Sequence, residues 1–122
     1  MPRSNRYILP GHIYHLTHRC HDRKFLLRYK LDRIEYCTRM RLAARKHRIS
    51  LLDFCVTCNH VHMIAMCECL LDLSRFMQQL EGEFADYYNR RKNRSGAFWG
   101  ERFHCTMIDG GDHLWNCLRY ID

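Results

Sequence analysis

The sequence lacks a long hydrophobic run, and about eighteen consecutive apolar residues would be needed for a membrane-spanning helix. Its N-terminal segment, MPRSNRYILPG, is polar and basic and lacks the apolar centre of a secretory signal peptide. Internal repeats and low-complexity linkers are also missing. The 122 residues therefore predict one domain, residues 1–122, without a membrane segment and located in the cytoplasm.

Acidic residues are scarce relative to basic ones: 13 Asp and Glu stand against 20 Lys and Arg, and the formal net charge is +7. This balance favours a polyanionic partner such as nucleic acid. Solubility alone is the other interpretation of a basic composition.

Cysteine, in contrast, is abundant, with eight residues in the chain. Because no export signal precedes them, we expect a reducing compartment and no disulfide framework. Most of these cysteines have apolar neighbours and are interpreted as small core residues. The spacings Cys55-x-x-Cys58 and Cys67-x-Cys69 leave a structural zinc site as an alternative.

Periodicity predicts the element order β-α-β-β-α-β-α. Apolar residues three and four apart indicate helices, and alternating stretches rich in β-branched and aromatic residues indicate strands. The predicted strands are 12–19, 50–57, 60–67 and 103–108, and the predicted helices are 31–47, 72–91 and one from 113 onward. The first six elements match the α+β, ferredoxin-like (RRM-like) fold, an antiparallel sheet with two helices on one face.

Two histidines, His60 and His62, flank Val61 on the third predicted strand. Side chains alternate along a strand, so both imidazoles should point to the same face. Two neutral imidazoles on one face can share a divalent cation. A pair of partly exposed strand histidines without a metal is the other interpretation, and the spacing alone does not exclude it.

A second histidine pattern runs through the first predicted strand, at His12, His15, His18 and His21. On a strand, His12 and His18 face one side and His15 faces the other, so a four-histidine metal stripe is not predicted. His15 alone is expected to approach the His60–His62 pair, if its strand is central in the sheet.

Basic residues interleave with aromatic rings after the second predicted helix. They are Arg90, Arg91, Lys92, Arg94 and Arg102, with Phe98, Trp99 and Phe103. Cations for phosphates and flat rings for unstacked bases suit single-stranded nucleic acid. A solvated loop with a hydrophobic anchor is the alternative.

Taken alone, Tyr120 in LRYID is interpreted as a packing residue near the chain end.

The stretch CVTCNHVHMI resembles the HUH motif of single-tyrosine transposases, in which histidine, a bulky apolar residue and histidine lie on a central strand. PGHIYHLTHR, YYNRRKNRSGAFWGERF and RYID resemble REP-associated tyrosine transposases in particular, in the same order along nearly the whole chain. The resemblance implies a ferredoxin-like sheet with a C-terminal catalytic helix. It also implies Mg²⁺ or Mn²⁺ held by His60 and His62, with Tyr120 as nucleophile.

The resemblance further implies a transposase that cuts and rejoins single-stranded or hairpin DNA through a 5′-phosphotyrosine intermediate, as a monomer or homodimer. The DNA-binding candidates are Arg90, Arg91, Lys92, Arg94, Trp99 and Arg102. In relatives, a polar residue four positions after the tyrosine often completes the metal shell, and that position would lie beyond Asp122. We therefore expect a truncated last helix, with a catalytically impaired hairpin-DNA-binding module or a small zinc-stabilised protein as alternatives.

Overall fold

The computed structural model of the protein describes residues 12–68, 70–108 and Asn116. Its strands are β1 (His12–Arg19), β2 (Ser50–Val56), β3 (His60–Cys67) and β4 (His104–Met107). Its helices are α1 (Lys30–Lys46) and α2 (Leu70–Arg91), with a short 3-10 turn at His21–Arg23. The six predicted elements are thus confirmed, whereas the predicted last helix, apart from Asn116, lies outside the described residues.

The four strands form one antiparallel sheet in the order β2-β3-β1-β4, which confirms the predicted ferredoxin-like α+β fold. The central strands β1 and β3 pair along their full length, from His12 opposite Cys67 to Arg19 opposite His60. A tight turn joins β2 to β3, where the Thr57 N–H donates to the His60 carbonyl oxygen at 2.9 Å. This turn sets which residues of β3 face each side.

The main core lies between the helices and one face of the sheet. Fully buried side chains of this sheet face include Leu16, Val61 and Met63. The predicted apolar stripe of α2 packs on them: Leu73, Phe76, Met77, Leu80 and Phe84 are buried, whereas Tyr87, its last predicted member, is only partly buried. On the opposite face, Ile64 and Ile108 form a second, smaller buried cluster.

The buried face of α1 differs from the apolar stripe that its spacing predicts. The predicted stripe was Leu31, Ile34, Cys37, Met40, Ala44 and His47, whereas the buried residues are Asp32, Tyr36, Met40, Ala43 and Ala44. Leu31 is 68% exposed and Ile34 is 50% exposed. Polar partners explain why α1 turns a different face toward the core: the Asp32 carboxylate pairs with Arg91, and the Tyr36 hydroxyl hydrogen-bonds to His18.

Neither helix in the described residues is long and apolar enough to cross a bilayer.

Candidate metal and nucleic-acid site

His60 and His62 lie together on the sheet face that points away from α1 and α2. They occupy alternate positions of β3, and the residues between and after them, Val61 and Met63, point into the main core. The two imidazole ring centroids are 4.9 Å apart. The strand therefore presents two nitrogen donors side by side, as the spacing predicts.

Burial and nearby cations keep these two imidazoles neutral. Burial, together with the Arg19 guanidinium, lowers the pKa of His60 below its ordinary value. The pKa of His62 falls to about 4, first because of burial and then because of His60, His15 and Arg19. A neutral imidazole carries the lone pair that a metal ligand needs, so both rings are in ligand form at neutral pH.

The turn before β3 orients the ring of His60. Its Nδ1 atom lies 2.9 Å from the Asn59 side-chain oxygen and 2.9 Å from the Thr57 hydroxyl. The Asn59 amide nitrogen donates to the Arg23 carbonyl oxygen, which fixes the amide with its oxygen toward His60. Because an amide oxygen only accepts, His60 Nδ1 must donate, and the ligand lone pair then resides on Nε2.

His15 and His18 point to opposite faces of β1, as strand alternation predicts. His15 Nε2 lies 3.1 Å from His62 Nδ1, so the central position of β1 does bring His15 to the histidine pair. His18 is buried on the helix side, where it hydrogen-bonds to Tyr36 at 2.7 Å and Glu81 at 3.1 Å. These two histidines of β1 therefore serve different surroundings, one beside the histidine pair and one in the main core.

The alternative zinc site does not assemble in the described residues. Cys55 lies opposite His62 in the β2–β3 pairing, whereas Cys58 belongs to the turn. Cys69 is outside the described residues. Within the described ranges no three His, Cys, Asp or Glu side chains converge as a metal-binding group, and no disulfide joins the described cysteines.

Arg91 and Lys92, two predicted DNA-binding residues, bind a carboxylate inside the protein. Asp32 is fully buried, and its oxygens lie 2.6 Å from Arg91 Nη2 and 3.2 Å from Lys92 Nζ. The neighbouring Arg90 differs, because its side chain is 80% exposed and its ion-pair partner is the exposed Asp86, one helical turn away. The basic run thus contains two partly exposed cations that pair with a buried carboxylate and one cation that faces solvent.

Arg94 and Trp99 also have internal partners. The Arg94 guanidinium donates to the Asn89 side-chain oxygen at 2.8 Å and to the Ala97 carbonyl oxygen at 2.9 Å, which closes the loop after α2. The Trp99 indole N–H donates to the Glu81 carbonyl oxygen at 3.0 Å, and its ring stacks on His18 at 3.9 Å between centroids. Arg94 thus holds the loop after α2 closed, and Trp99 ties this segment to α2 and to β1.

A cavity of about 530 Å³ lies at the end of β1, where the chain enters the turn at His21–Arg23. It is lined by Arg19, Arg23 and Arg102, by His18, His21 and His104, and by Asp22 and Glu101, among others. Arg19 connects the cavity to the histidines, since it stands opposite His60 in the strand pairing and lowers the pKa of both imidazoles. Sequence analysis named Arg102 as a DNA-binding candidate but not Arg19 or Arg23, because the end of β1 and the turn after it meet the segment at Phe98–Gly100 only in the folded chain.

A sequence profile of the family described as IS200-like transposases matches residues 9–122. The chain belongs to the IS200-like transposase family. Among solved structures, a REP-associated tyrosine transposase bound to a REP hairpin superposes with a TM-score of 0.79 at 19% identity, covering 99% of this chain and 70% of that chain. A candidate transposase from Deinococcus radiodurans R1 gives a TM-score of 0.67 at 14% identity, covering 97% and 93%. No match was found among curated proteins.

Family membership confirms the resemblance inferred from the HUH-like stretch, and the superpositions confirm the fold. An IS200-like transposase belongs to a class of enzymes that cleave and rejoin DNA. In this transposase, Arg19 links the histidine pair to the arginine-lined cavity, because it lines that cavity and lowers the pKa of both imidazoles. The predicted nucleophile, Tyr120, lies outside the described residues.

Proposed function

We propose that this IS200-like transposase cuts and rejoins single-stranded DNA beside a hairpin, through a covalent 5′-phosphotyrosine at Tyr120. The observation that supports this most is the pair His60 and His62, whose neutral imidazoles lie 4.9 Å apart on one sheet face, with the Arg19 guanidinium near enough to lower the pKa of both. A hairpin substrate is supported by the REP hairpin in the similar structure. The proposal also has the enzyme act in the cytoplasm, as a monomer or homodimer.

The donor set fits a divalent cation. His60 and His62 would hold Mg²⁺ or Mn²⁺ through ring nitrogens, and oxygen atoms of water or DNA phosphate would supply further ligands. Mn²⁺ accepts imidazole more readily than Mg²⁺, which prefers oxygen ligands. When bound, the ion would polarise a non-bridging oxygen of the scissile phosphate.

The Tyr120 phenol oxygen would attack the phosphorus in line. The new bond joins this oxygen to the 5′-phosphate, the bond to the 3′-oxygen breaks, and that oxygen leaves as a 3′-hydroxyl after taking up a proton. The phenolic proton is released in the same step. The link conserves one phosphoester bond, so another 3′-hydroxyl can attack it and join DNA without nucleotide hydrolysis.

Arginines at the sheet end would bind the DNA backbone next to the scissile phosphate. Arg19, Arg23 and Arg102 line the cavity, and guanidinium groups bind phosphate through paired hydrogen bonds. Arg90 offers an exposed cation on α2. We assign to Arg91, Lys92, Arg94 and Trp99 the task of holding the loop and sheet end in place, because each of them has internal partners.

A covalent-adduct assay tests this function. The full chain is mixed with Mn²⁺ and a hairpin oligonucleotide labelled at its 3′ end, since the fragment that stays on the enzyme carries the 5′-phosphate. We expect a labelled protein band on a denaturing gel that is lost in Tyr120→Phe and in His60→Ala. An adduct that persists in Tyr120→Phe would show that the nucleophile is misassigned. Hairpin binding without any wild-type adduct would favour the impaired DNA-binding module.

A further inference from the structure

We propose that His15 is a positioning residue that sets the ring orientation and the tautomer of His62, and so prepares the metal site before the ion binds. This proposal rests on the metal role of His60 and His62 proposed above. The sequence analysis expects His15 near the pair if its strand is central, but it does not identify the His15–His62 hydrogen bond, which joins residues 47 positions apart.

Strand pairing brings the two rings together. In the β1–β3 register, His62 stands opposite Thr17 and His15 stands opposite Ile64, so the two histidines are diagonal neighbours on one face. β1 and β3 are the central strands and pair along eight positions each, which holds both backbones firmly. The His15–His62 contact therefore joins residues on the two central strands, whose backbones are held by pairing along their full length.

The ring geometry is that of a hydrogen bond between imidazoles. His15 Nε2 and His62 Nδ1 are 3.1 Å apart, the ring centroids are 5.3 Å apart, and the planes differ by 18°. The centroid separation exceeds the nitrogen separation by about two ring radii, so the rings meet edge to edge in nearly one plane. This is the direction in which a ring N–H points at the lone pair of another ring.

The hydrogen bond selects a tautomer. If His62 offers Nε2 to the cation, its proton resides on Nδ1 and is donated to His15 Nε2, which must then carry its own proton on Nδ1. His60 is arranged in the same way, because its Nδ1 donates to the neutral Asn59 oxygen. Each proposed ligand is thus oriented by a neutral acceptor from a neighbouring strand or turn, a role that outer-shell partners of metal-bound histidines have.

A substitution series with a Mn²⁺ readout tests the proposal without DNA cleavage. His15→Phe keeps a ring but removes the acceptor, and we expect Mn²⁺ binding to weaken about tenfold by calorimetry. His15→Gln restores an acceptor oxygen and should keep affinity within about threefold of wild type on the same basis. The control is His47→Phe, which removes a histidine directly after α1 whose Nε2 lies 2.7 Å from the Gln79 side-chain oxygen, and this variant should leave Mn²⁺ affinity unchanged.

The tautomer of wild-type His62 provides a second measurement that needs no variant and no metal. Long-range ¹H–¹⁵N correlation spectra should show the His62 proton on Nδ1. A proton on Nε2, or equal Mn²⁺ affinity in folded His15→Phe and wild type, would overturn the positioning role. Wild-type protein that shows the Nδ1 proton but binds no Mn²⁺ would instead refute the proposed metal-dependent function and leave the His15 contact standing.

Discussion

Replacing Asp32 by alanine should destabilise the protein by about 2 kcal/mol, because it removes the carboxylate that joins α1 to the end of α2. The carboxylate is fully buried and accepts a 2.6 Å hydrogen bond from Arg91, with Lys92 at 3.2 Å. A hydrogen bond to a charged group is worth about 1.5–3 kcal/mol. The lower part of that range applies because the abandoned Arg91 and Lys92 side chains are already 39% and 28% exposed and can hydrate further.

Urea unfolding followed by circular dichroism measures this loss. With a typical slope of about 1–3 kcal/mol per molar urea, the midpoint should fall by roughly 1 M. A loss below about 0.5 kcal/mol, the range of ordinary surface substitutions, would refute the assignment of Asp32 as the buried tie between the helices.

The ion pairs of Asp32 with Arg91 and Lys92 also predict which arginine of residues 90–92 contacts DNA. Hairpin affinity measured over a range of salt concentrations should lose about 0.9 from its logarithmic slope in Arg90→Met if Arg90 contacts a phosphate. Arg91→Met should leave that slope unchanged but lower the urea midpoint, since Arg91 is engaged by Asp32. A reduced slope in Arg91→Met, with unchanged stability, would show that the internal ion pair gives way to DNA.

Two further predictions concern the histidines. Lowering the pH from about 6.5 to about 4 should reduce the free energy of unfolding, because unfolded His62 takes up a proton near its ordinary pKa of 6.5 whereas folded His62 resists until about 4. His62→Gln should flatten this part of the urea-midpoint profile, and an unaltered profile would contradict the assignment. Tyr36→Phe should cost about 1–2 kcal/mol, because it removes the hydroxyl 2.7 Å from buried His18. Tyr29→Phe, at an exposed tyrosine, is the matched control, and equal midpoints would argue against the buried hydrogen bond.

The sequence predicted the buried face of an element best where a single apolar periodicity runs through that element. The α2 stripe from Leu73 to Phe84 and the alternation around His60 and His62 were predicted correctly, because each pattern depends only on neighbours along one element. The buried face of α1 was predicted wrongly. Its inward residues include Asp32 and Tyr36, whose burial depends on Arg91, Lys92 and His18 from other elements, and local spacing does not report such partners.

The candidate site was predictable only in its local part. His60 and His62 share a strand, so alternation placed them on one face. His15 was expected near the pair if its strand is central. Its hydrogen bond to His62 and the place of Arg19 opposite His60, in contrast, depend on the β1–β3 register, which forms only when the strands assemble. Trp99 differs from its sequence prediction. Its ring was a candidate for stacking on DNA bases, but it stacks on His18, and its indole N–H donates to the Glu81 carbonyl oxygen.

The connection Thr57–Asn59 does two tasks at once, since it closes the β2–β3 pair and aims the His60 ring. Surface connections usually accept inserted or deleted residues. Here a single inserted residue that β3 absorbed by sliding would reverse its two faces, sending both imidazoles into the apolar core and Val61 into solvent. The length of this short connection is therefore constrained by chemistry as well as by folding.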